Sequence, residues 1–168
     1  MRKFALVLAL ALGGCAYGYG EPTGGPVYAL VGPEGTSLGS VRAWETPGGV
    51  TFRLEGRGLP LGLHGIHVHA VGRCQGPGFE TAGGHWNPTQ RSHGFNNPAG
   101  YHRGDLHNVT VTSTGVLTET VTLAGARLAD LADADGSALV LHAARDDYAT
   151  DPSGNSGARI ACAVLAAG

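Results

Sequence analysis

The sequence predicts an all-β protein: an antiparallel sandwich or barrel of eight short strands with two long loops. Three observations point there. Short β-rich runs recur between turn signals, helical periodicity is nearly absent, and glycine is abundant, at 29 of 168 residues. The runs fall at 27–31, 39–44, 50–54, 65–69, 108–112, 116–121, 138–141 and 159–164. Thr46-Pro47-Gly48-Gly49 and Ser113-Thr114-Gly115 are turn sequences, so the strands they separate should pair as hairpins. Residues 128–135 have room for at most a short helical turn.

The chain divides into three parts. Met1-Arg2-Lys3 is a basic start, and residues 4–12 form an apolar run too short to span a bilayer as a mature helix. Leu12-Gly13-Gly14-Cys15 then places small residues ahead of a cysteine. We read residues 1–14 as a signal peptide of lipoprotein type, with lipid on Cys15 after cleavage. An ordinary secretion signal with an idle Cys15 would show the same small residues. Residues 15–26 are rich in Gly, Pro and Tyr and read as a flexible tether. Residues 27–168 remain, about 140 residues, enough for one domain with a core. Both leader readings put the protein outside the cytoplasm, in the cell envelope or periplasm, and the lipid reading anchors it to a membrane.

Cysteine arithmetic fits that location. With Cys15 lipidated, Cys74 and Cys162 are an even pair in an oxidising compartment and are expected to form a disulfide. The only lysine is Lys3, and the net charge is −2. With no basic run, nucleic acid is excluded as a partner.

Six histidines and an aspartate make the chemical signal: His67-x-His69, His85, His93, His102-x-x-Asp105 and His142. Seven ligand-type groups are too many for one tetrahedral site and suit two sites that share a ligand. In a strand, residues two apart point to one side, so His67 and His69 can face one ion while Val68 enters the core. With His142 they form an all-imidazole set with room for an open position, which suits copper. His102, Asp105, His93 and one further histidine form a closed N3O set, which suits zinc. His85 is the candidate to serve both, since both nitrogens of an imidazolate bind metal. Two loops, 71–104 and 144–158, lie around these residues. The first has no period of its own, and metal and disulfide would order it.

These stretches resemble the copper–zinc superoxide dismutases. The motifs are Gly62-Leu63-His64-Gly65-Ile66-His67-Val68-His69, Gly83-Gly84-His85-Trp86-Asn87-Pro88, Gly104-Asp105-Leu106-His107-Asn108 and Gly154-Asn155-Ser156-Gly157-Ala158-Arg159-Ile160-Ala161-Cys162. The resemblance covers about residues 25–168 and implies an eight-stranded Greek-key β-barrel. It implies copper ligands at His67, His69, His85 and His142, and zinc ligands at His85, His93, His102 and Asp105, with one copper and one zinc per subunit. It further implies a Cys74–Cys162 disulfide, an active-site arginine at Arg159, and a carboxylate at Asp146 that links the two ligand shells through His67 and His93. The implied chemistry is a two-step cycle: superoxide docks near Arg159 and leaves as dioxygen on reducing Cu(II). A second superoxide then reoxidises Cu(I) and leaves as hydrogen peroxide, taking one proton held by His85 and one from water. From residues alone, a solvated carboxylate beside Asp147 is the favoured reading of Asp146, and Arg159 reads equally as a surface arginine at a strand end.

Departures from the family are small. His64 is expected to be a packed, hydrogen-bonded histidine, and His107 a surface residue. Loop 144–158 lacks the lysines that many relatives use to steer superoxide, leaving Arg103 and Arg145 as substitutes. Asn108-Val109-Thr110 fits a glycosylation triplet but falls on an expected strand and reads as structural. The leading reading is an enzyme that dismutates superoxide. The second is a non-catalytic copper- and zinc-binding module on the same barrel. A third, an adhesive β-sandwich, leaves the histidines unexplained. The sequence leaves a homodimer open.

Overall fold

Residues 24–168 are described by a computed structural model, and the expected signal peptide, Cys15 and the expected tether through residue 23 lie outside the described residues. Among the described residues nine strands appear, where the sequence suggested eight. They are β1 Val27–Val31, β2 Ser37–Thr46, β3 Gly49–Gly56, β4 Gly62–His64, β5 Ile66–His69, β6 Val109–Val111, β7 Leu117–Ala124, β8 Gly136–His142 and β9 Arg159–Ala167. Two 3-10 turns, Glu80–Ala82 and Leu128–Leu131, complete the regular structure. The second is the short helical turn expected there.

The extra strand has a local cause. The run ending in His69 begins earlier than read, at Gly62, and Gly65 breaks it into β4 and β5. Gly65 sits where other chain segments crowd in. A Cβ built on it would stand 2.8 Å from the Ser156 Cβ and 3.3 Å from the Asp146 Cβ. Its own N–H donates to the Ala144 carbonyl at 2.8 Å, and its carbonyl accepts from the His142 N–H at 2.9 Å. Only glycine permits that approach.

This break also closes the barrel. The strand order is β4-β6-β7-β3-β2-β1-β9-β8-β5, so the two edges of the sheet are consecutive strands joined through Gly65. β2 and β3 form the hairpin expected at Pro47-Gly48, in register from Gly39↔Gly56 to Thr46↔Gly49. β6 meets β7 across the second expected turn, with Val111 opposite Leu117. β3 pairs not with its successor but with β7, the crossover of a Greek key. The result is a nearly closed antiparallel barrel whose β5 edge is bridged by loop residues, at His67↔Asp105 and His69↔His85, which limits edge-to-edge association there.

The alternation of side chains decides where chemistry is sited. Ile66 and Val68 of β5, and Leu139 and Leu141 of β8, enter the barrel core with Phe52, Leu54 and Leu123. Ala138 and Val140 face outward, yet are fully buried in a second cluster with Phe79, Ala82 and Cys162. Loop residues thus cover the outer wall, and β5 and β8 are buried on both faces. Full burial of a side chain such as Phe79 is worth about 2 kcal/mol toward holding the loop down. The disulfide joins Cys74 in that loop to Cys162 on β9, with Cα atoms 5.7 Å apart. His67 and His69, on the outward positions of β5, are therefore enclosed rather than solvated, at 0% and 1% exposure.

Candidate metal centre

Beneath the two long loops, all seven ligand-type residues singled out from the sequence come together. The hydrogen bonds of each ring determine which nitrogen is left free, because a neutral imidazole carries one N–H and one lone pair. His69 Nδ1 donates to the Gly83 carbonyl at 2.9 Å, and His142 Nδ1 to the Gly157 carbonyl at 3.2 Å. His67 Nε2 donates to Asp146 Oδ2 at 2.8 Å, and His85 Nδ1 contacts Asp105 Oδ1 at 2.9 Å. What remains is His67 Nδ1, His69 Nε2, His85 Nε2 and His142 Nε2, all buried without a hydrogen-bond partner. Buried polar atoms normally find partners, and these four residues bring one nitrogen each within 4.8 Å of the others, which fits a soft-to-borderline cation.

A second donor set adjoins the first. Asp105 Oδ1 lies 2.9 Å from His85 Nδ1, 3.1 Å from His93 Nδ1 and 3.4 Å from His102 Nδ1, and the last is 3.2 Å from His85 Nδ1. A tetrahedral zinc with bonds of ~2.0–2.1 Å separates its ligand atoms by about 3.3 Å, so these four atoms have the spacing of one N3O site. The other carboxylate oxygen of Asp105 accepts the backbone N–H groups of Gly94 (2.9 Å) and His102 (3.1 Å). His67 also lies within reach of this set. However, its Nε2 is bonded to Asp146 and its Nδ1 belongs with the first group. His85 presents one nitrogen to each set.

The electrostatics keep the four histidines of the first set ready for metal. Burial pushes His67 down, His69 well down, His85 to about 4 and His142 to about 3, so all four are neutral ligands at pH 7. Burial also opposes charge on His93, but hydrogen bonds to Asp105 and Asp146 outweigh it and raise this histidine to about 9. Asp105 and Asp146 would likewise rise on burial. Their histidine hydrogen bonds instead hold both well below the usual carboxylate range.

Asp146 is buried and bonded, in contrast to the solvated reading. Its Oδ1 accepts from His93 Nε2 at 3.0 Å while Oδ2 accepts from His67, so one carboxylate orients a ring in each set. Gly154, at φ 65°, leaves room for it, since a Cβ there would collide with Asp146 Oδ1. Asp147 is the loop-capping residue, accepting the N–H groups of Ala149 and Thr150.

Arg159, at the start of β9, donates to the Phe79 carbonyl at 2.6 Å and the Gly83 carbonyl at 2.7 Å. It lines a cleft of about 460 Å³ with His69, His85, His142, Asn87 and Ser153. Neither substitute for the missing lysines lines this cleft: Arg103 is bonded to the Gly125 carbonyl at 2.8 Å, and Arg145 is exposed elsewhere. His64 is buried as expected, its ring between the carbonyls of Pro60 and His142, both at 2.8 Å. His107 is exposed but stacks on Phe95, with centroids 4.5 Å apart. Sequence reasoning missed the carbonyls of Phe79, Gly83 and Gly157, because a backbone acceptor leaves no mark on residue type. It also missed Asn108, whose side chain bonds the backbone of Asp146.

Fold and site define the class: an antiparallel Greek-key barrel with a two-metal centre on its outer wall, the two donor sets sharing one imidazole. Comparison with known proteins agrees. Residues 38–165 match the sequence model of the copper/zinc superoxide dismutase (SODC) family. Cu-Zn superoxide dismutase 2 of Aquifex aeolicus is 40% identical over 142 residues, covering 81% of this chain and 83% of that protein. The superoxide dismutase-like protein YojM of Bacillus subtilis is 41% identical over 144 residues, covering 81% and 73%. Among solved structures, a double mutant of a SOD-like protein from Bacillus subtilis superposes with a TM-score of 0.82 at 40% identity, covering 84% of this chain and 97% of that one. The Cu/Zn superoxide dismutase from Brucella abortus gives a TM-score of 0.72 at 30% identity, covering 83% and 98%. The chain belongs to the copper/zinc superoxide dismutase family, and its histidine clusters can bind copper and zinc.

Proposed function

We propose that this chain dismutates superoxide to dioxygen and hydrogen peroxide, with copper held by His67, His69, His85 and His142 and zinc by His85, His93, His102 and Asp105. One observation carries the reading: four buried, partnerless imidazole nitrogens converge beside Arg159, and the ring of His85 joins them to a closed N3O set. Copper, when bound, supplies the one-electron redox couple. The protein's part is positional and electrostatic. Arg159, fixed by two carbonyls, docks the small anion at the cleft and draws it into an otherwise acidic protein. With zinc on its Nδ1, His85 would carry a proton at Nε2 whenever copper is not on that nitrogen, and would give it to the departing peroxide, whose second proton comes from water. Asp105 keeps the Nδ1 side of the same ring anchored, and Asp146 keeps His67 and His93 in their tautomers.

We further place the protein outside the cytoplasm, tethered to a membrane by lipid on Cys15. Support comes from the basic start, the apolar run, the Leu12-Gly13-Gly14-Cys15 sequence and a disulfide suited to an oxidising compartment. Replacement of Cys15 by Ala should release the protein from the membrane fraction. Retention of that variant in membranes would remove the anchor.

Metal analysis combined with a xanthine oxidase-coupled assay tests the catalytic reading. One copper and one zinc per chain with rapid superoxide removal is expected. Full occupancy of both metals without activity would leave the non-catalytic binding module in its place. All six histidines, Asp105 and Arg159 being present together supports the enzyme.

A further inference from the structure

Asp146 must hold two oxygens against rings on two different ligand sets, yet it stands in a loop, 143–158, without strand or helix. We propose that Asn108 and Tyr148 form a clamp that holds Asp146 in place, which makes both of them positioning residues for the reaction. This inference rests on the dismutase reading above.

The clamp is a closed circuit of hydrogen bonds. The Asn108 amide treats the backbone of Asp146 as a neighbouring strand would: Nδ2 donates to the Asp146 carbonyl at 2.9 Å, and Oδ1 accepts the Asp146 N–H at 2.7 Å. The N–H of Asn108 donates to the Tyr148 hydroxyl at 2.8 Å. The N–H of Tyr148 donates to Asp146 Oδ1 at 2.7 Å, beside the bond from His93. Four bonds thus join three residues, and the carboxylate receives one of them directly.

Two further observations single out this arrangement. Tyr148 has φ 63°, a left-handed conformation that a bulky residue rarely adopts and that persists where the surroundings over-determine it. In this conformation its N–H and its hydroxyl both reach the circuit. Its ring is held by Phe95 at 5.6 Å and by His107, edge-on, at 5.8 Å. That contact gives His107 a role: stacked on Phe95, it walls in the tyrosine. Asn108 lies three residues after Asp105, so a single short segment carries a donor of the second set and the clamp on the carboxylate that orients both.

The test uses the full chain. Tyr148→Phe keeps the ring and removes its bond to Asn108, while Asn108→Ala removes both bonds to the Asp146 backbone. Zinc affinity is measured by chelator competition with Zn2+ alone. The Cu(II) paramagnetic resonance spectrum is recorded on chain loaded with both metals, alongside activity and thermal unfolding. Changes to groups that orient ligands typically cost about 10–100-fold in metal affinity or activity, and we expect Asn108→Ala in that range and Tyr148→Phe at its lower edge. Both should alter the Cu(II) spectrum, because His67 loses its fixed orientation. Ser137→Ala, which loses a buried bond to the Leu131 carbonyl, serves as the control for stability loss alone. The clamp is overturned if Asn108→Ala and Tyr148→Phe only lower the melting temperature, as Ser137→Ala does, with zinc affinity and Cu(II) spectrum unchanged. A wild-type chain that binds both metals but lacks activity would end the dismutase reading, while zinc affinity and spectrum would still decide the clamp.

Discussion

His69 and Arg159 share one acceptor, the carbonyl oxygen of Gly83, at 2.9 and 2.7 Å. One peptide unit therefore turns the Nε2 of His69 toward the first donor set and fixes the guanidinium beside it. The second bond of Arg159, to the Phe79 carbonyl at 2.6 Å, lies in the same loop. Phe79 is itself anchored, with a fully buried side chain packed in the cluster that contains Cys162. The cation at the cleft is thus placed from both sides, by the strand that carries it and by the loop that receives it.

Arg159 should not be replaceable by lysine. An ammonium cannot reach both carbonyls with the fixed fork of a guanidinium. We expect Arg159→Ala to lower kcat/KM by about 10–100-fold through loss of the focused charge. Arg159→Lys should fall between that and wild type. Pulse radiolysis at several ionic strengths checks both, and wild-type rates in the lysine variant would show that the fork is dispensable.

The other arginines should matter little. Arg103 is bonded to Gly125, and neither it nor Arg145 lines the cleft, so neither can dock the anion there. Arg103→Ala and Arg145→Ala are expected to keep kcat/KM within about 2-fold at physiological ionic strength, where screening shortens the reach of surface charge to about 8 Å.

Loss of the disulfide should act on activity as well as stability. Cys74 and Cys162 are 88 residues apart, and closing a loop of that size removes chain entropy worth about 4–5 kcal/mol from the unfolded state. The same bond tethers the loop that bears the Phe79 and Gly83 carbonyls. The double variant Cys74→Ser/Cys162→Ser should melt at a lower temperature. Metal-loaded and still folded, it should also show a reduced rate, as measured by calorimetry and the coupled assay.

His69→Ala is expected to abolish activity while leaving zinc bound and the barrel folded, since His69 contributes no atom to the set around Asp105. Elemental analysis decides this. Loss of zinc in that variant would mean that the two donor sets are assigned the wrong way round.

Acid and base should each destabilise the metal-free chain, for opposite reasons. His142 at about 3 and His85 at about 4 bind fewer protons folded than unfolded, where the value is near 6.5. Their neutral burial therefore loses stability as pH falls below about 6.5. His93, raised to about 9, binds more protons when folded, and that contribution is lost as pH rises from about 6.5 through 9. Melting temperature should peak near neutrality. Zinc must displace the proton of His93, so zinc affinity should increase across the same interval, with about one proton released per ion by calorimetry in two buffers.

Much of this protein was legible along the chain because strands and histidine ligands obey local rules. Period-two alternation placed His67 and His69 on one face opposite Val68, and turn residues marked the hairpins. The count of seven donors suited two sites and a shared ligand, and the resemblance assigned them. Other features depended on contacts between distant segments. Gly65 closes the barrel because Asp146 and Ser156 pack against it, and nothing in residues 62–69 announces that neighbour. Which ring nitrogen His69 and His142 present was decided by loop carbonyls, which carry no residue identity. Asn108 looked like a strand residue and is instead a clamp one position before β6. By itself the sequence determined which donors exist and how many metals they suit, since residue type and spacing are written in one dimension. Only the tertiary structure decided where each lone pair points, because hydrogen bonding orients an imidazole through atoms 14 to 79 residues away.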